Sequence, residues 1–133
     1  MTIEDLETIC DSFPAVTKDI KWEEHLCFNI GAKMFLITSP DEYPPTAAFK
    51  VPEEEFEEIA SRDGFRPAPH LGRYKWIQVD DISLLTKKQW EHYAKQSYDL
   101  IFAKLSPNFL LLSPNISKLF FGGIGGFQRV SWK

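Results

Sequence analysis

After Phe13-Pro14 the spacing of apolar residues changes from three and four to two, and no other feature of the chain constrains its fold so much. Ahead of that point Ile3, Leu6, Ile9, Cys10 and Phe13 recur at helical spacing behind Thr2 and Asp5, a pair placed to form a capping box. Beyond it Val16, Ile20 and Trp22 share one parity, and Leu26, Phe28 and Ile30 share theirs. That is the pattern of antiparallel strands with one buried face. Glu23-Glu24-His25 supplies the first turn and Gly31-Ala32 the second, which leads into "KMFLIT". The proline-rich "SPDEYPPT" then breaks the chain before a further strand, "AAFKV".

The helical period returns at Pro52. Glu53, Glu54 and Glu55 crowd a first turn, where the helix dipole favours negative charge, and Phe56, Ile59 and Ala60 form a narrow apolar stripe with Gly64 as its end signal. "YKWIQV" alternates as a strand. Thr86 with Gln89 caps the longest helix, along which Trp90, Ala94, Tyr98, Ile101 and Leu105 lie on one side. The order is helix, three or four strands, helix, one or more strands, helix: an α+β fold in which helices cover an antiparallel sheet. With 133 residues, 44% of them hydrophobic, the chain suits one compact domain without repeats. We place that domain at residues 1–106. Residues 107–133 form an apolar, weakly basic extension: from 106 onward there is no acid, and only Lys118, Arg129 and Lys133 are basic. Packing onto the domain is the favoured reading of the extension, over an oligomer contact.

Fifteen basic residues against nineteen acidic ones give a net charge of −4, the wrong sign for a domain that coats itself with nucleic acid, so any phosphate contact has to be local. Cys10 and Cys27 fall among apolar neighbours and read as buried thiols in a reducing compartment. The acidic start lacks the basic end and apolar run of a secretory signal, and no stretch is apolar for long enough to span a membrane, so a cytoplasmic location is expected.

Several signals for chemistry are weak. "GGIGG" at 122–126 lacks the Lys-Ser/Thr of a phosphate loop, and Gln128 stands where a dinucleotide fingerprint needs glycine. His25 and Cys27 share a strand face but have no second pair to complete a zinc site. Asn115-Ile116-Ser117 matters as a glycosylation acceptor only in a secreted chain. The acids from Glu53 to Glu58 read as a solvated helix face. His70 is the one catalytic candidate, and no nucleophile signature accompanies it; holding a proline-rich turn is its competing role. No metal, cofactor or catalytic set is expected.

One stretch stands apart. From Arg62 to Trp76 the chain carries Arg62, Arg66, Arg73 and Lys75 against the single Asp63. Arginine forks onto phosphate oxygens, and Tyr74 or Trp76 offers a ring face to a base. The competing reading buries Trp76 and pairs the arginines with glutamates.

"IGAKMF" (30–35), "FKVPEE" (49–54), "RPAPHLGRYKWIQV" (66–79) and "QSYDLIFAKLS" (96–106), in that order, resemble the MmcQ/YjbR family of small bacterial proteins. The resemblance implies a secretion-chaperone-like fold and a DNA-binding role with a double-wing arrangement. Carried over by position, it points to Lys33, Lys50, Pro67, Ala68 and Trp76. Together with the basic stretch this gives a non-enzymatic nucleic-acid-binding module in which Lys33, Lys50, Arg66, His70, Arg73 and Lys75 touch phosphates and Trp76 anchors the strand. The alternative is a protein-interaction or chaperone-like module, with a protein partner or a second copy of the chain on the sheet face and the apolar tail.

Overall fold

A computed structural model describes residues 1–21 and 24–105. Trp22, read as a strand residue, and Glu23, read as the start of the first turn, lie outside the described residues, as does 106–133 with its expected packing, its glycine cluster and its Asn115 acceptor.

The first helix, α1 (Ile3–Asp11), opens with the expected capping box: Asp5 N–H donates to Thr2 Oγ1 at 3.1 Å, and Thr2 N–H to the Asp5 carboxylate at 3.0 Å. Four strands follow as an antiparallel meander, β1 (Val16–Lys21), β2 (His25–Ile30), β3 (Lys33–Ser39) and β4 (Thr46–Lys50). His25, read from the sequence as a turn residue, is already the first residue of β2, paired with Lys21. Helix α2 (Glu53–Ala60) has no side-chain cap and relies on its three leading glutamates to meet the dipole. It ends at Ser61, so Gly64 is no helix stop; its φ of +86° serves the turn into β5 (Phe65–Pro67).

Strand β6 spans only Trp76–Val79, because Gly72–Tyr74 forms a 3-10 turn and Lys75 adopts a left-handed conformation at φ 67°. The alternation of "YKWIQV" overstated that strand by two residues. A second 3-10 turn, Ile82–Leu84, precedes α3 (Lys87–Phe102), whose Thr86–Gln89 capping box forms as read. No helix among the described residues is long and apolar enough to cross a membrane.

All neighbours in the six-stranded sheet are antiparallel, in the order β1-β2-β3-β4-β6-β5. Phe28, Leu36, Phe49 and Ile77 stand opposite one another across four strands and face the helices. Phe49 meets Trp90 edge-on at 5.4 Å and stacks on Tyr93 at 5.3 Å. Phe28 pairs with Leu36 but Asn29 pairs with Met34, so Phe35 is the extra residue of a β-bulge. The bulge lets Phe35 join Leu36 on the helix side, where its ring meets Tyr98 at 5.3 Å and Phe13 at 6.1 Å. Cys10 belongs to this core and Cys27 to the opposite, helix-free row; both are buried free thiols, and burial pushes both thiols' pKa up.

Candidate functional site

Register decides which basic residues can act together. Leu36 lies opposite Phe49, and Lys50 opposite Trp76, so the start of β3, the end of β4 and the start of β6 form one edge of the sheet. Lys33, Lys50 and Lys75 stand at that edge, with Arg73 and His70 in the turn leading to it.

Lys50 is half-buried, and its Nζ donates to the backbone carbonyl of Tyr74. Burial lowers its pKa from the ordinary lysine value; the charges of Lys104 and Lys75 lower it further, against a smaller opposing effect from Glu53. Lys104, just past the end of α3, is the member that sequence reasoning missed. Its signal is helical phase, since Ser97, Ile101 and Lys104 follow at steps of four and three along one side of α3. Lys75 holds its ammonium 5.0 Å from the Phe56 ring centre, and Arg73 stacks its guanidinium 4.9 Å from that of Tyr74 while donating to the Tyr74 hydroxyl at 3.0 Å. Among the described residues no carboxylate forms an ion pair with Lys33, Lys50, Arg73, Lys75 or Lys104; the ion pairs there involve Lys18, Arg62, Arg66 and Lys95.

Two of the expected residues sit differently. Arg66 lies opposite Gln78 on β5, away from this edge, and binds the Asp80 carboxylate at 2.9 Å. Each raises the charged fraction of the other: Arg66 holds Asp80 below the usual carboxylate range, and Asp80 raises the guanidinium. Trp76 is 5% exposed and belongs to the core, so it presents no ring face to solvent.

A web of backbone bonds sets the shape of the turn. Ala68 N–H donates to Trp76 O at 2.9 Å, Tyr74 N–H to Leu71 O at 2.9 Å, Lys75 N–H to Gly72 O at 2.9 Å and Val51 N–H to Lys75 O at 3.0 Å. Gly72 sits close against Pro67, where a Cβ would meet Pro67 Cβ at 3.0 Å and press it aside. His70 and Lys75 both have positive φ, 65° and 67°, a conformation that costs a non-glycine residue roughly 1–2 kcal/mol. Such strain persists only where surroundings over-determine it, and it concentrates at functional sites.

His70 itself is exposed and faces a groove of 660 Å³ on the helix-free side of the sheet, between His25 on β2 and the Ala68–Leu71 segment. Met34, Ile37 and Ala48 form its apolar floor. His25 and Cys27 share this side, as their spacing predicts, and His25 Nδ1 lies 2.9 Å from Ser39 Oγ. Among the described residues no cluster of three His, Cys, Asp or Glu is placed to hold a metal ion.

Comparison with known proteins agrees with this architecture. The family model described as YjbR matches residues 11–100. The crystal structure of Deinococcus radiodurans protein DR2400, of domain family DUF419, superimposes with a TM-score of 0.74 at 23% sequence identity, over 82% of this chain and 85% of that one. This likeness establishes the shared fold. No curated protein matches the sequence.

Proposed function

The chain belongs to the YjbR family, and on that premise we propose that it is a cytoplasmic, non-enzymatic module that binds DNA phosphates through the basic edge formed by Lys33, Lys50, Arg73, Lys75 and Lys104. One observation carries the reading: register and the α3 packing bring Lys50 on β4, Lys75 in the turn before β6 and Lys104 past the end of α3 to one place, where the charges of Lys104 and Lys75 add to the burial that chiefly lowers the pKa of Lys50, with no carboxylate ion-paired to them among the described residues. An arrangement of like charges that opposes itself in the free protein is relieved by a polyanion. Placement on one edge also explains how a chain of net charge −4 can approach DNA at all. The free, buried thiols fit a reducing compartment.

Five phosphate contacts give a slope of about −4.5 in log K against log salt for duplex DNA, or roughly 500-fold weaker binding at 200 mM than at 50 mM. Fluorescence anisotropy with a labelled duplex measures this directly. Lys75→Ala should reduce the slope by about one, whereas Arg66→Ala, already committed to Asp80, should leave it unchanged. A salt-independent affinity sinks the proposal. A second reading, in which a protein docks on the helix-free face, is favoured by the apolar floor of the 660 Å³ groove. Ala48→Glu would then abolish partner capture and leave DNA binding intact.

A further inference from the structure

Resting on the reading that the basic edge binds nucleic acid, we infer that its preferred ligand is single-stranded, with an unpaired base stacking at the Tyr74 ring beside phosphates held by Lys50, Lys75 and Lys104. Tyr74 is 50% exposed although it sits in a turn locked by backbone bonds on both sides. Its own carbonyl receives the Lys50 ammonium and its ring carries the Arg73 guanidinium, so ring, cation and cluster are within one residue of each other. Trp76, the other aromatic of this stretch, is buried in the core. Tyr43 is 98% exposed but lies in the β3–β4 connection, at the opposite end of the sheet. Of the two exposed tyrosines among the described residues, Tyr43 and Tyr74, it is therefore Tyr74 that offers its ring next to positive charge.

Duplex DNA keeps its base faces stacked inside the helix, and a ring at the protein surface gains nothing from it beyond contact with the backbone. A single strand displays those faces, and a ring flanked by cations is the arrangement that receives them. Arg73 extends the platform, since a guanidinium plane stacked on tyrosine can carry a base on its outer side. The turn is already fixed by the Ala68–Trp76, Lys75–Gly72 and Val51–Lys75 backbone bonds, so little ordering is needed on binding.

The test compares three labelled ligands of equal length: oligo-dT, an abasic strand and a blunt duplex. Each is titrated with the full chain and with Tyr74→Ala, Tyr74→Phe and Lys75→Ala. The expected result is oligo-dT binding roughly tenfold or more tighter than the abasic strand and the duplex, a gap closed by Tyr74→Ala and kept by Tyr74→Phe. Lys75→Ala should weaken all three ligands together. Equal affinity for the three, or a Tyr74→Ala variant that retains the gap, overturns the single-strand inference and leaves the phosphate-binding reading standing. Loss of salt-dependent binding to every ligand overturns both.

Discussion

Replacing Ser97 by alanine removes one hydroxyl from α3 and tests how the basic edge is held open. Ser97 is fully buried; its Oγ donates to Phe35 O at 2.6 Å and accepts from Lys50 N–H at 2.9 Å. Those two backbone groups lie just beyond the point where β3–β4 pairing stops, at Leu36 opposite Phe49, because Phe35 is taken up by the bulge. The hydroxyl therefore splices two strands that no longer reach each other. Alanine leaves a buried carbonyl and a part-buried amide facing a methyl group, at a cost of about 1–3 kcal/mol each, or ~2–6 kcal/mol together. Set against a total stability of about 5–15 kcal/mol for a domain of this kind, the loss is large. It corresponds to a fall in Tm of ~10–30 °C. Urea unfolding followed by tryptophan fluorescence would show the midpoint fall with an unchanged slope. A loss under about 0.5 kcal/mol would refute the reasoning, since it would mean that Phe35 and Lys50 satisfy each other directly once the hydroxyl is gone.

Lys75→Gly should separate folding from binding. Relief of the left-handed backbone, roughly 1–2 kcal/mol, offsets the lost contact with Phe56, about 0.5–1 kcal/mol, and the wider freedom of glycine in the unfolded chain. Unfolding free energy then stays within about 1 kcal/mol of the parent while DNA affinity falls; a markedly destabilised variant would show that the strain at Lys75 had been misread. The lowered pKa of Lys50 gives a pH effect of defined sign. Below its folded value the charged amine opposes folding, and that opposition lifts as pH rises through the folded value toward the ordinary 10.5. Phosphate binding needs the charge, so affinity should decline over the same alkaline window in the parent and persist in Lys50→Arg; superimposable profiles would count against Lys50 as a contact.

Much of the fold was legible because local chemistry and final structure agree. The capping boxes at Thr2–Asp5 and Thr86–Gln89 form with the partners their spacing names, and the change of period at Phe13-Pro14 marks the passage from α1 into the meander. The sheet order was not legible, since β6 enters between β4 and β5 and the pairing of Phe49 with Ile77 leaves no local trace. The left-handed Lys75 is invisible to alternation, which reads side-chain character and not φ. At the site the same division holds. Arg66 looks like its basic neighbours until register brings it opposite Gln78 and within reach of Asp80, and Lys104 joins Lys50 only through the packing of α3 across the sheet.

The insertion of β6 also bears on when the molecule becomes competent. Strands β1 to β4 meet through hairpins between chain neighbours, whereas β6 reaches β4 only after α2 and β5 have been looped past, a slower, entropically dearer closure. Lys50 and Lys75 come from the two strand ends joined by that closure, so in a half-assembled sheet their amines stay apart. On the proposed function, affinity for nucleic acid would come only with that closure, and a nascent or partly unravelled copy would be silent toward it.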